Sequence, residues 1–257
     1  EVPTLGHWFR AAGYDTHYQG KWHLSHADLV DPTTGRPLAT NDESGVVDAR
    51  AVDVYRAADP LDAFGFSGWI GPEPHGGALA NSGLRRDPLT AARVVAWLID
   101  RYERRRRGDP EALRPFLLVA SFVNPHDIVL FPLWLRNSPL ESDPYGTPDI
   151  APPPTADEDL ATKPAAQSAY RAAYLTGYAP IAAGVYEANA AEYRRLYHRL
   201  HADVDASVEL VRRTVTDGSA EAVLVLSADH GELLGAHGGL HQKWFTLYDE
   251  AARVPFT

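Results

Sequence analysis

The residues best suited to chemistry lie in the stretch Ala222 to Arg253, AVLVLSADHGELLGAHGGLHQKWFTLYDEAAR. Asp229 and His230 follow its apolar start, and an adjacent carboxylate and imidazole can hold a divalent cation. Lys243 follows a loop rich in glycine and histidine. A cation and a lysine in one crevice favour an anionic substrate such as a phosphate or sulfate ester. The alternative is that Asp229 only forms a turn and His230 is an ordinary surface residue.

A second candidate group follows the short strand predicted for Tyr14 to Gln19. In an extended segment, residues two apart share a face, so Lys21 and His23 would point into one pocket with Trp22 packed behind them. The alternative is a solvated lysine beside a packed histidine.

A third candidate, His126, follows the continuous apolar run Pro115 to Phe122. Such a run is typical of a strand covered on both faces, and Ala222 to Ser227 has the same character. The carboxyl ends of parallel strands meet at one sheet edge, where ligands bind. If these strands are parallel neighbours, His126 and Asp229 reach the same edge.

The elements that must position these residues alternate between helix and strand. Thr4 is expected to cap a first helix that Gly13 ends, Asp87 and Pro88 to open a second, and Glu187 to Val215 to form a long third. The predicted fold is α/β, with a mostly parallel central sheet flanked by helices. We expect one domain over residues 1–257, with long loops at about 25–86 and 130–165.

Two parts of these loops carry specific expectations. The segment Ala63 to Gly77 mixes aromatic residues with glycine, so it either lines a substrate pocket or packs as a surface loop. The segment Asp149 to Asp159 is acidic and rich in proline, which favours solvated disorder.

Composition excludes several classes of function. The 257 residues are 45% hydrophobic and 23% charged, as in ordinary soluble globular proteins. A net charge of −10 argues against a general nucleic-acid binder, and no apolar run is long enough to span a bilayer. The absence of cysteine excludes disulfides and a cysteine nucleophile within these residues. Oligomeric state is left open.

Three motifs in order resemble the type I sulfatase family of the alkaline phosphatase superfamily: GYDTHYQGKWHL, SFVNPH and SADHGELLGAHGGLHQKWFTLYDEAARVPF. The resemblance implies an alkaline phosphatase/sulfatase-like fold and a small-molecule sulfate ester as substrate. It also implies that Lys21, His126 and Lys243 bind the sulfate group, that His23 and Lys21 contact the nucleophile, and that His126 protonates the leaving alcohol. These four residues are the expected catalytic set.

The resemblance further implies that Asp229 and His230 are metal ligands. Calcium is the expected ion and manganese the alternative, because one of the ligands is an imidazole. Family members carry a Cys or Ser that is oxidised to formylglycine, and an earlier Asp pair, both N-terminal to the Gly-Lys-Trp-His motif. We therefore expect the chain to be a fragment that lacks this nucleophile motif and the C-terminal subdomain, and that is inactive on its own.

Three functions remain from this reasoning. The first is a sulfuric ester hydrolase. The second is a phosphonate monoester or phosphodiester hydrolase of the same superfamily, where the Asp-His pair is common. The third is a catalytically incomplete anion-binding domain, since the nucleophile and part of the metal site are absent from the sequence.

Overall fold

Two parallel strands form the sheet in the part of the chain that the structure describes. The computed structural model describes residues 2–74, 76–137, 146–174, 176, 184–219, 221–243 and 245–257. β1 (Asp15–Gly20) pairs with β2 (Phe116–Ser121), from Asp15 opposite Phe116 to Gly20 opposite Ser121. Both strands lie within one residue of their predicted positions. The α/β class is therefore confirmed, with a small parallel sheet and many helices in the described part of the chain.

The helices have the following bounds: α1 Leu5–Ala11, α2 Ala49–Ala58, α3 Gly83–Arg106, α4 Pro110–Leu113, α5 Phe131–Asn137, α6 Ala165–Ala173, α7 Val185–Ala188, α8 Ala190–Gly218, α9 Ala236–Gly239 and α10 Asp249–Ala252. Thr4 caps α1 as predicted, because its side chain accepts a hydrogen bond from the backbone N–H of His7. The predicted long helix is confirmed as α7 and α8, which Asn189 separates. Within the described ranges, none of these helices is long and apolar enough to cross a membrane.

The chain divides into two compact units, Glu1–His126 with Asp203–Ala222 and Asp127–Ala202 with Val223–Thr257. A single catalytic domain over residues 1–257 stays a prediction.

In the first unit, apolar clusters cover both faces of β2. The cluster on one face includes Tyr18, Trp22, Tyr55, Leu61, Phe66 and Trp69, with Leu117 and Val119 of β2 packed against it. The other face packs on α3 and α8, through Val94, Leu98, Val211 and Val215 against Phe116, Leu118 and Ala120. This two-sided burial is what the uninterrupted apolar run of β2 predicted.

The start of α3 differs from the prediction. The helix begins at Gly83 after Ser82, and Pro88 lies inside it. Asp87 does not cap the helix, because its carboxylate accepts hydrogen bonds from the backbone N–H groups of Val123 and Asn124 after β2. A contact between distant segments has therefore overridden the local capping signal.

The predicted strand Ala222 to Ser227 is wrong. Residues 222–226 are exposed, and Val223 retains 89% of its accessible surface. The pairing lies at one end only, where Leu226 and Thr257 exchange backbone hydrogen bonds and Ser227 forms an antiparallel bridge with Phe256. A strand needs a hydrogen-bonded neighbour along its length, and this end pairing does not supply one.

The first predicted long loop contains α2, which sequence reasoning missed. Asp48 caps α2 through a hydrogen bond from the N–H of Ala51, and Tyr55 is fully buried. In the segment Ala63 to Gly77, Phe66 and Trp69 are 3% and 1% exposed. The packed-loop alternative is therefore confirmed for these two residues, which belong to the core.

The second predicted long loop contains α5 and an ordered segment, while its residues 138–145 lie outside the described ranges. The expectation of solvated disorder for Asp149 to Asp159 is wrong. The carbonyl of Ile150 accepts a hydrogen bond from Arg194 Nε at 2.8 Å, and that of Thr155 accepts one from the N–H of Gly238 at 3.0 Å. These partners from other segments compensate for the low apolar content of the segment.

Candidate active site

Lys21 and His126 leave the same edge of the sheet. The backbone N–H of Lys21 donates to the carbonyl of Ser121, the last residue of β2, at 2.9 Å. Gly20 makes this approach possible, because it has φ 97° and any Cβ at this position would overlap the Ser121 carbonyl. Parallel pairing thus brings the chain segments that carry two of the predicted site residues to one place.

The segment after β1 is only partly as predicted. Trp22 is 6% exposed, so it packs inward as expected, and its backbone N–H donates to Glu73 Oε1 at 2.8 Å. His23, however, is exposed and has φ 51°. The strand ends at Gly20, so the extended alternation that would place Lys21 and His23 on one face is not formed.

Asp87 fixes the turn that carries His126. Its carboxylate is 2% exposed and accepts from the N–H of Val123 at 2.6 Å and from that of Asn124 at 3.0 Å. The N–H of His126 in turn donates to the carbonyl of Val123 at 2.9 Å. Sequence reasoning missed this role, because Asp87 followed by proline reads as a helix cap.

Asp229 and His230 place two potential metal-ligand atoms close together. Asp229 Oδ1 lies 3.6 Å from His230 Nε2, and His230 Nδ1 lies 3.0 Å from the carbonyl of Gly231. If Nδ1 carries the proton, it donates to that carbonyl and leaves the Nε2 lone pair on the side of Asp229. Metal–ligand bonds are about 2.0–2.6 Å long, so one cation can span this separation.

The pair could supply two ligands of a divalent cation. The carboxylate of Asp229 is mostly exposed and the ring of His230 is partly buried, so both are reachable. No group of three or more His, Asp or Glu residues suited to a metal occurs among the described residues. The two residues therefore fit part of a metal site.

Glu232 is a buried carboxylate that sequence reasoning missed. It is 6% exposed and accepts hydrogen bonds from the Tyr193 hydroxyl at 2.8 Å and from the N–H of Gln242 at 2.5 Å. Burial raises the pKa of Glu232, while these hydrogen bonds and the positive charge of Lys243 act in the opposite direction. A glutamate two residues after a candidate metal ligand was the available signal.

Lys243 is half-buried at the end of the same loop. The N–H of Leu233 donates to the carbonyl of Gln242 at 3.0 Å, beside the bond from Gln242 to Glu232. The ends of the segment 232–242 therefore meet. As a result, Lys243 follows one end of a closed loop, and His230 precedes the other.

The structure thus forms two groups of predicted site residues. Lys21 and His126 share a sheet edge in the first unit, and Asp229, His230 and Lys243 flank a closed loop in the second. One crevice containing both groups stays a prediction.

Comparison with known proteins gives one family. A family model described as Sulfatase matches residues 1–256. The chain is 27% identical over 256 residues to "Uncharacterized sulfatase YidJ" of Escherichia coli (strain K12). It is 26% identical over 265 residues to the choline-sulfatase of Rhizobium meliloti (strain 1021). Each alignment covers 99% of this chain and 46% of the relative, so the chain spans about half the length of the curated relatives it matches.

Proposed function

Because the chain belongs to the sulfatase family, we propose that the protein that carries it hydrolyses small-molecule sulfate esters. The observation that carries the proposal is the closed loop 232–242 of the second unit. When the loop closes, Gln242, which precedes Lys243, lies against Glu232 and Leu233, which follow Asp229 and His230 in the chain. A donor pair for a cation and a lysine for an anion are the two components that a sulfate site needs.

In this proposal Asp229 and His230 hold a divalent cation, Ca²⁺ first and Mn²⁺ as the alternative. The bound cation would neutralise negative charge on the sulfate group. The remaining ligands would come from outside the described residues.

The other residues of the proposed site act on the ester itself. Lys21 and Lys243 bind sulfate oxygens and stabilise the charge that develops on the group being transferred. His126, held by the turn that Asp87 fixes, gives a proton to the departing alcohol oxygen. His23 contacts the nucleophile, which we propose is a formylglycine supplied by a part of the protein outside this chain.

Two alternatives are supported by specific observations. The Asp229–His230 pair also suits a phosphonate monoester or phosphodiester hydrolase, since a cation and lysines stabilise phosphoryl oxygens equally well. A catalytically incomplete anion-binding domain agrees with the finding that the described residues hold no group of three metal-binding side chains.

Turnover by the complete gene product separates these functions. We would compare 4-nitrophenyl sulfate, choline sulfate and an aryl phosphonate, with choline sulfate included because one relative is a choline-sulfatase. The proposed function predicts the highest kcat/KM for a sulfate ester. It also predicts that Lys243→Ala lowers this value by about 100-fold or more, as loss of a transition-state charge contact does.

Lys163→Ala is the matched control, because Lys163 lies in the same unit and pairs with Glu158. A dominant phosphonate rate would favour the second function. Binding of inorganic sulfate without turnover of any ester would favour the third.

A further inference from the structure

Glu232 joins the two ends of the loop that leads to Lys243. Its carboxylate accepts hydrogen bonds from a side chain and from two backbone N–H groups, those of Tyr193, Gln242 and Leu234, at 2.8, 2.5 and 3.3 Å. Hydrogen bonds to a carboxylate are stronger than those between neutral groups, and here they are almost fully buried. The side chain of Glu232 therefore connects both ends of this loop to each other and to Tyr193.

Gln242 shows what this side chain holds in place. Its φ is 63°, in the left-handed region that residues with a side chain rarely adopt. Such a conformation persists only when its surroundings determine it. Here the N–H of Gln242 donates to Glu232, its carbonyl accepts from Leu233, and its side-chain Nε2 donates to the hydroxyl of Tyr186 at 3.2 Å.

Tyr193, the side chain that donates to Glu232, is itself packed among aromatic rings. Tyr193 lies on α8, is fully buried, and contacts Tyr186 and His241 edge to face at ring-centroid distances of 4.9 and 5.2 Å. Tyr186 is also fully buried. The carboxylate of Glu232 thus connects a packed aromatic cluster to the peptide that precedes Lys243.

We propose that Glu232 is a positioning residue for Lys243. It does not touch the substrate. It fixes the left-handed peptide at Gln242, and through it the direction in which the Lys243 side chain leaves the backbone. This inference rests on the proposed function for the anion-binding role of Lys243.

A double-mutant cycle in the complete gene product tests the proposal. Glu232→Ala, which removes the acceptor oxygen of all three hydrogen bonds, and Lys243→Ala are made singly and together. For each variant, kcat/KM for 4-nitrophenyl sulfate and the melting temperature are measured. Misplacement of a positioned group by about 1 Å costs about 100-fold. We therefore expect Glu232→Ala to lower kcat/KM by about 100-fold in the wild-type background and by no more than about twofold in the Lys243→Ala background. Equal losses in both backgrounds would overturn the proposal.

Two further variants keep the test decisive. Tyr193→Phe removes one donor to Glu232 and enters the same cycle if Glu232→Ala does not fold. Glu187→Gln changes an exposed glutamate of the same unit and is expected to leave kcat/KM unchanged.

The same double-mutant cycle is repeated with the affinity for inorganic sulfate, measured by calorimetry, in place of turnover. If Lys243→Ala alone changes neither turnover nor sulfate affinity, the anion-binding role of Lys243 in the proposed function is wrong, and the role of Glu232 falls with it. If Lys243→Ala is damaging but the cycle is additive, only the role of Glu232 is wrong.

Discussion

The carboxylate of Asp87 accepts a hydrogen bond from the backbone N–H of Val123 at 2.6 Å, and both groups are buried. A side chain of α3 thereby fixes the first step of the turn that leads to His126. The same device recurs in the second unit, where Glu232 accepts from the N–H of Gln242. In both places a buried carboxylate accepts hydrogen bonds from backbone N–H groups of a turn. These N–H groups would otherwise be buried without a partner.

Asp87→Asn is expected to destabilise the protein. A carboxamide has one acceptor oxygen and one donor group where the structure requires two acceptors, so a buried backbone N–H loses its partner. The expected cost is about 1–3 kcal/mol in the free energy of unfolding, measured by urea denaturation. Asp100→Asn, at an exposed position of the same helix, should stay within about 0.5 kcal/mol of wild type. Equal effects of the two substitutions would contradict the role of Asp87.

Asp229→Asn and His230→Ala are each expected to weaken divalent-metal binding. Each substitution removes or weakens one donor of the pair, and we expect at least about a tenfold loss of affinity. Calorimetric titration of the complete gene product with Ca²⁺ and with Mn²⁺ measures this. Asp249→Asn is the control, because Asp249 is an exposed carboxylate of the same unit. Unchanged affinity in both site variants would remove these residues from the metal site.

His126→Ala is expected to affect poor leaving groups most. If His126 protonates the departing oxygen, its removal should cost about 10²–10⁴-fold with an alkyl sulfate. The cost should be much smaller with 4-nitrophenyl sulfate, whose phenolate departs without a proton. The ratio of the two kcat/KM values measures this difference, and His26→Ala, at an exposed position, provides the control. A uniform loss on both substrates would assign His126 to binding instead.

The pH dependence of stability should report the contacts of Glu158. Hydrogen bonds from Lys163 and His237 lower the pKa of Glu158 below its ordinary value of 4.5. A carboxyl whose pKa is lower in the folded state stabilises the protein above the unfolded pKa, and this contribution is lost as pH falls through the folded pKa. The melting-temperature difference between wild type and Glu158→Gln should therefore be largest above pH 4.5 and shrink below it. Asp157→Asn, an exposed neighbour, should show no comparable trend.

Local sequence patterns were sufficient to predict the elements that depend on a nearby capping residue or on a continuous apolar run. The apolar run after Pro115 predicted β2, and the Thr4 cap predicted the start of α1. The same reasoning failed for Ala222 to Ser227, because a strand also needs edge partners, which an apolar run does not specify. It missed α2 because the many Pro, Gly and Asp residues around it concealed a short helix with a single Asp48 cap.

The sequence by itself determined the family and the identity of the candidate site residues, since the three motifs depend only on residue type and order. Only the tertiary structure showed which side chains fix the backbone beside those residues. Asp87 bonds to Val123, 36 residues later in the sequence, and Glu232 bonds to Tyr193, 39 residues earlier. No local periodicity encodes contacts across such sequence separations. A buried carboxylate takes the partners that the fold brings to it, so its role becomes visible only once the chain has folded around it.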